Sequence, residues 1–551
     1  MIKIKKDVIR EQKNFWNHCL FHPTDAIEDP WGKLLLDKMA DDGAIKTVRL
    51  YAMLEDIVYM DENGCLKYDF RLNDLRLDYL LSIGLKPVIS YSAMPDCIAR
   101  CVDNKSSVSN KKTRYKGKLF NTSPPKDYAL WEEICYEYTS HIVERYGIDE
   151  VSGWRCHCYN EPDASGFFMS ELSPDNYTDR LREYCKLYTA FAKALRRVSD
   201  KIKIGGPALS GNADFLRGFL TYIRDNNIPI DYISFHNYGT SPYWLKRGTR
   251  ISVTNSLAKY KTHLDIIKEC GFEDKERICD EWGASSWGFI NIEDCPQLIF
   301  RETEIFSAYY AKLIRGLIDI DPELSRLMIC LSGQHEMTAD FTGFRNFFTL
   351  HYIKKPIYNA HIMASKLHNR LLAENHSNEN LSVIPTINEN GEIAVLISYS
   401  SEFFEEDIDE ICEDITFDFD LRGRAATVYT IDKSSTNPYR LAQRLGLCSP
   451  DPAPVYADGY SAASDDKLKH LAQQTAIKTE NTSDAKIQIN VTPTKTDEPS
   501  DLSLTLKGVL SREQIAILRN ESNMKPQLAQ NASEPLKLHL TPNSTVLIII
   551  S

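Results

Sequence analysis

The sequence predicts an α/β fold, a (β/α)8 TIM barrel with an accessory antiparallel β-sandwich. Three observations lead there. Eight short apolar runs alternate with eight longer amphipathic segments, and that alternation implies parallel strands joined by right-handed helical crossovers. Eight such units over roughly 360 residues match the count and size of a closed barrel. Beyond about residue 378 the strand-like runs follow one another without intervening helices, which is the texture of a sandwich.

The elements follow in order. A first strand is expected at residues 18–21, with a helix over 31–39. The run TVRLY at Thr47–Tyr51 is the second strand, and residues 72–83 place Leu75, Tyr79, Leu80 and Ile83 on one side of a helix. Strands at 86–92, 153–160 and 203–207 precede helices at 128–146, 177–198 and 213–226. Strands at 232–236, 277–281 and 327–331 precede helices at 255–270, 302–320 and 356–372. In the second half, strands are expected at 381–386, 392–399, 414–419, 425–431, 486–491, 502–506, 536–540 and 545–550. A helix-like piece at 467–475 and a polar, loop-like stretch at 479–500 interrupt them. Residues 1–14 supply an N-terminal strand that joins the sandwich, the barrel spans 15–375, and the sandwich spans 376–551.

Composition narrows the function. The formal charge of −12 disfavours a nucleic-acid partner, because such partners demand a basic footprint. No run reaches the ~18 apolar residues of a membrane span, so no membrane partner is expected. The N-terminus lacks the apolar core of a secretory signal. Fourteen scattered cysteines read as reduced thiols, which places the chain in the cytoplasm. No metal and no cofactor are expected. Alternation puts Cys156 and Cys158 on one face of a strand and His157 on the other, so they do not share a metal. Cys97 and Cys101 lack the second ligand pair of a zinc site. Gly205-Gly206-Pro207 has no Lys-Ser/Thr behind it and is not a phosphate loop. The acidic stretch 402–414 and the basic stretch 105–118 read as solvated loops.

A barrel builds its site at the carboxyl ends of its strands. The fourth strand ends in Tyr159-Asn160-Glu161-Pro162, the sixth in Phe235-His236-Asn237-Tyr238, and the seventh in Asp280-Glu281-Trp282. Glu161 and Glu281 thus emerge on one face of one barrel. Two carboxylates across a small gap are what glycosidic bond cleavage requires, one to protonate the leaving oxygen and one to attack or to activate water.

These residues resemble glycoside hydrolase family 39, the family of β-xylosidases and α-L-iduronidases in the large clan A. Asn160-Glu161-Pro162 is similar to its acid/base motif, and Ile278-Cys279-Asp280-Glu281-Trp282 to its nucleophile strand. Further similarity lies in Ile83-Gly84-Leu85-Lys86-Pro87 through Ser92-Ala93-Met94-Pro95, and in Pro124-Pro125-Lys126-Asp127-Tyr128 with Trp131 and Arg145-Tyr146-Gly147. Phe341-Thr342-Gly343-Phe344 through Lys354-Lys355-Pro356 matches as well. The resemblance implies a retaining exo-glycosidase, β-xylosidase-like, acting on an oligosaccharide or glycoside substrate. It casts Glu281 as nucleophile and Glu161 as acid/base. It casts Arg49, Tyr51, Asn160, His236, Tyr238, Trp282 and Glu336 as substrate-binding, with Asn160 donating to the sugar 2-hydroxyl. Tyr238 and His236 are expected to hydrogen-bond the carboxylates.

Two departures from the family stand out. Arg49-Leu50-Tyr51 has Tyr where β-xylosidases carry His, and Leu331-Ser332-Gly333-Gln334-His335-Glu336 lacks their eighth-strand Trp. The second opens volume beside the bound ring. Plain xylosides are therefore expected to be accepted without being the best substrate. An α-L-arabinofuranosidase, or another specificity of the same family, is the alternative within the enzyme class. A carbohydrate-binding barrel without hydrolysis is the alternative outside it. Homo-oligomerisation is left open.

Overall fold

A computed structural model describes residues 1–21, 24–106, 119–332, 337–404, 406, 408–448, 510–527 and 530–551. Strands His18–Phe21, Thr47–Tyr51, Lys86–Tyr91, Arg155–Cys158, Ile204–Leu209, Tyr232–Thr240, Glu276–Ser285 and Leu324–Leu331 pair in parallel and close into a barrel, the last beside the first. Each is short and apolar because it is covered by helices outside and by side chains inside. The covering helices are Pro30–Asp41, Arg71–Ser82, Tyr128–Tyr146, Tyr177–Val198, Ala213–Asp225, Val253–Glu269, Glu304–Ile320 and Pro356–Ser365.

Local chemistry sets where these helices begin. Asp127, Asn176, Asn212, Ser252 and Thr303 each accept a backbone N–H of the first turn through their side chains, satisfying one of the orphan donors there. Pro30 and Pro356 start two more, where their missing N–H costs nothing. Helix Glu304–Ile320 is buried on nearly every side. It packs between the neighbouring barrel helices and the second sheet, so most of its length is apolar.

The second sheet has nine strands: Ile2–Glu11, Arg370–Asn375, Leu381–Ile387, Ile393–Tyr399, Ile411–Phe417, Ala425–Ile431, Gln530–Asn531, Leu536–Leu540 and Ser544–Ile550. All pairings are antiparallel except Ile2–Glu11 beside Ile411–Phe417, which is parallel. Gln530–Asn531 and Leu536–Leu540 are neighbours in the chain yet lie at opposite ends of the sheet order. Leu536, Leu538 and Leu540 share one core with Ala426 and Val428 from the other end. The sheet therefore curls over itself as a sandwich. Arg440 and Asn437 clamp it to the barrel by donating to buried Glu304 at 2.8–3.0 Å.

Two differences from the sequence reading are instructive. The helix expected over 356–372 ends at Ser365, and Arg370–Asn375 is a strand. The Leu371-Leu372 pair suits either period, and the decision is made by sheet partners, with Leu371 opposite Arg10 and Leu372 opposite Val8. A helix at Arg512–Glu521 was not expected, although Ser511 and Gln514 spell its capping box. The elements expected at 467–475, 479–500, 486–491 and 502–506 lie outside the described residues.

Candidate active site

Side chains along a barrel strand alternate between the interior and the helix layer. On the seventh barrel strand Ile278 packs inside with Val88, Tyr232 and Met328, while Cys279 joins the outer core. Unbroken alternation would then point Asp280 in and Glu281 out. The pairing with the sixth strand instead jumps from Phe235 opposite Cys279 to His236 opposite Glu281. This bulge adds one residue and re-aims the chain. Asp280 and Glu281 both face the interior, and Trp282 is turned outward.

The fourth strand ends by another device. Tyr159 and Glu161 hold left-handed backbone conformations, with φ of 65° and 43°, which non-glycine residues keep only when their surroundings impose it. The surroundings are visible. The Glu161 N–H donates to the Ala208 carbonyl at 3.0 Å. The Asp163 carboxylate accepts the N–H groups of Ser210, Gly211 and Asn212 at 2.8–3.0 Å. The loop after the fourth strand is thereby pinned to the end of the fifth, and the Glu161 side chain is aimed over the barrel mouth.

Arg49, fully buried on the second strand, forms the floor. Its guanidinium donates to Glu281 Oε1 at 2.7 Å and to Asn160 Oδ1 at 2.6 Å, and its Nε lies 3.3 Å from Asp280 Oδ2. Asn160 Nδ2 is buried and makes no hydrogen bond among the described residues. The Tyr238 hydroxyl donates to Glu281 Oε2 at 2.6 Å and in turn accepts from Arg345 Nη2 at 3.2 Å. Arg345 also donates to the carbonyls of Cys330 and Ser285 at 2.6 and 2.8 Å. His236 Nδ1 bonds Glu161 Oε1 at 2.7 Å, and its Nε2 lies 3.7 Å from both Asp280 and Glu281.

The two glutamates differ in their electrostatics. Burial pushes the Glu161 carboxyl above its ordinary value, and the charge of Glu281 adds to this against the opposing pull of His236. Burial also resists ionisation of Glu281, but His236, Arg49, the Tyr238 hydroxyl and Arg345 outweigh it and hold that carboxyl well below its ordinary value. Burial disfavours the His236 cation, yet Glu281, Asp280 and Glu161 together raise it to about 9. One ligand-type atom from each of Glu161, His236 and Glu281 lies within 4.8 Å of the others.

These groups open on a cavity of about 650 Å³ lined by Tyr51, Glu161, Tyr238, Glu281, Ser332 and Arg345 at its inner side. Of the residues singled out by sequence, Arg49, Tyr51, Asn160, Glu161, His236, Tyr238 and Glu281 converge here. Tyr51 is buried, with Arg49 over its ring at 5.6 Å and Phe120 at its edge. Trp282 is a correction. Its ring stacks on Tyr310 at 5.3 Å and packs against Phe306 in the helix layer, because the bulge flips the strand one residue earlier. It does not face substrate. Glu336 lies outside the described residues. Ser332 lines the cavity, with Gly288 packed closely against its hydroxyl and against Arg345. Sequence reasoning missed Arg345, whose only signal was its place directly after Phe341-Thr342-Gly343-Phe344, and the inward turn of Asp280, which had none.

The family model for glycosyl hydrolases family 39 matches residues 1–458. A β-xylosidase of Caldicellulosiruptor saccharolyticus is 27% identical over 455 residues, covering 78% of this chain and 85% of that protein. An α-L-iduronidase of Canis lupus familiaris is 26% identical over 253 residues, 42% of this chain and 34% of that protein. The fold is also that of a monomeric β-xylosidase from Caulobacter crescentus CB15, at a TM-score of 0.74 and 16% identity, covering 100% of this chain and 99% of that one.

Proposed function

This chain belongs to glycosyl hydrolases family 39, and from that premise we propose that it is an exo-acting β-xylosidase that cleaves by double displacement, with Glu281 as nucleophile and Glu161 as acid/base. The observation that carries this reading is the spacing and opposed electrostatics of the pair. One oxygen of each carboxylate lies within 4.8 Å of the other, which suits the ~5–5.5 Å separation of retaining enzymes and leaves no room for the water of an inverting one. Glu281, held ionised, attacks the anomeric carbon. Glu161, whose carboxyl burial pushes above its ordinary value, delivers its proton to the departing oxygen. Once Glu281 is esterified its charge is gone, and Glu161 is released to act as base on the incoming water. Asn160 Nδ2 donates to the sugar 2-hydroxyl, a bond that strengthens as positive charge develops on the ring.

A non-hydrolytic sugar binder would have no use for paired carboxyls whose proton affinities are pushed in opposite directions. β-Xylosidases and α-L-iduronidases are among the relatives by sequence, and the arabinofuranoside alternative gains nothing from these. We place the enzyme in the cytosol acting on short imported oligosaccharides. All fourteen cysteines are free thiols, which supports that. Among the described residues no helix is long and apolar enough to cross a membrane.

The test is the stereochemistry of hydrolysis. Proton NMR during turnover of an aryl β-D-xyloside should show β-xylose first. First release of the α anomer, or no turnover of any β-xyloside, would overturn the reading.

A further inference from the structure

Beneath the two glutamates lies a buried acid to which the double displacement gives no part. Asp280 is fully buried and is turned inward by the bulge of the seventh strand. Its Oδ2 lies 3.3 Å from Arg49 Nε and 3.7 Å from His157 Nε2, and its Oδ1 lies 3.7 Å from His236 Nε2. The second, fourth and sixth strands thus each aim one nitrogen-bearing side chain at this carboxyl. Tyr232 on the sixth strand and Glu281 on its own strand also feel its charge. The eighth strand contributes apolar Met328 to the same barrel interior.

His157 brings no charge to this cluster. Its Nε2 accepts from Arg49 Nε and Nη2 at 3.2 and 3.1 Å, since a guanidinium only donates. Burial, Arg49 and His236 all lower the proton affinity of that ring. His263, on the helix behind the sixth strand, is likewise pushed by burial toward its neutral form. Asp280 and Glu281 are therefore the anions beside Arg49 and His236 in the barrel floor, with Glu161 facing His236 from above at 2.7 Å. Burial opposes the Asp280 charge, and Arg49 and His236 favour it. One of the two floor anions is lost during turnover, because Glu281 becomes a neutral ester. A buried cation left without its anion is costly.

We propose that Asp280 is a positioning residue, the permanent counter-charge of the barrel floor, which keeps Arg49 in place and a positive charge on His236 while Glu281 is esterified. This rests on the double-displacement reading and adds to it the group that carries the site from the first step to the second. A positive charge on His236 favours ionised Glu161, the form that activates water. Removing the Asp280 charge should therefore slow the second step more than the first.

Asp280→Asn keeps the shape and removes the charge. With 2,4-dinitrophenyl β-D-xyloside, whose good leaving group makes the attack of water limiting, kcat should fall at least about tenfold. The ratio kcat/KM, which reports the first step, should fall no more than about threefold, and the acid limb of kcat should move to higher pH. Nitrogen NMR of labelled histidine reads the same device without turnover. His236, raised to about 9 in the free enzyme, should titrate at least about one unit lower in Asp280→Asn. In wild-type enzyme trapped as its 2-deoxy-2-fluoroxylosyl ester, His236 should stay protonated at neutral pH. Equal falls in kcat and kcat/KM, an unmoved His236 titration, or a neutral His236 in the trapped wild type would overturn this role while leaving the double displacement standing. The trapped wild type decides the matter even if Asp280→Asn does not fold. Failure of the wild type to form any glycosyl-enzyme would overturn the double displacement, and this role with it.

Discussion

Arg345 donates to the Tyr238 hydroxyl at 3.2 Å, and its guanidinium lies 4.7 Å from the centre of the Tyr238 ring. Tyr238 in turn bonds Glu281 at 2.6 Å. A residue from the segment after the eighth strand thus orients, through one phenol, the carboxylate assigned as nucleophile. Arg345→Met should lower kcat about 10- to 100-fold with little change in KM, since losing a hydrogen bond tied to a charged group costs about 1.5–3 kcal/mol. Arg345→Lys should recover part of it. Steady-state kinetics on an aryl β-xyloside, with the melting temperature as a folding control, decide this. An effect confined to KM would mean that Arg345 serves substrate binding instead.

The pH profile should follow the two opposed carboxyls. Activity needs Glu281 ionised and Glu161 protonated. Because Glu281 is held low and Glu161 high, kcat/KM should stay near its maximum through the ordinary carboxylate range and fall on the alkaline side as Glu161 loses its proton. The neighbouring carboxylates favour a positive charge on His236 beside both. Removing it in His236→Gln withdraws a positive charge that favours both carboxylates, so both limbs should move to higher pH. A shift of the alkaline limb to lower pH would contradict a positive charge on His236 beside Glu161.

The two glutamates should fail differently. Glu281→Gln should lose at least ~10³-fold in kcat on every substrate, because no other group forms the intermediate. Glu161→Gln should be severe for xylobiose and mild for aryl xylosides with good leaving groups, which need little protonation. Equal losses regardless of leaving group would refute these roles. External azide gives a second readout. It should rescue Glu161→Gln with an activated substrate by attacking the glycosyl-enzyme without a base.

Trp282 should behave as a core residue. Trp282→Ala should cost about 3–5 kcal/mol of stability through the cavity it leaves. The milder Trp282→Phe should keep KM for xylosides unchanged while lowering the melting temperature. A raised KM in a well-folded Trp282→Phe would show that the ring reaches substrate after all.

Much of this molecule was legible from residues near one another in the chain. The eight strand–helix units are written in local hydrophobic period, and Glu161 and Glu281 were found because strand ends are where a barrel keeps its chemistry. The N-caps at Asp127, Asn212 and Ser252 are equally local. What escaped depended on partners far away in sequence. Whether Leu371-Leu372 continued a helix or began a strand was settled by Val8 and Arg10, over 350 residues earlier. The bulge at Asp280 exists because of how the seventh strand registers against the sixth, and that single extra residue turns Glu281 in and Trp282 out. Side-chain type and order are properties of the chain alone, so the sequence determined which groups were available and on which strand ends they would stand. Direction and pairing come from non-local hydrogen-bond register and packing, so only the tertiary structure decided which of those groups meet, with Arg345 behind Tyr238 as the case no local pattern announced.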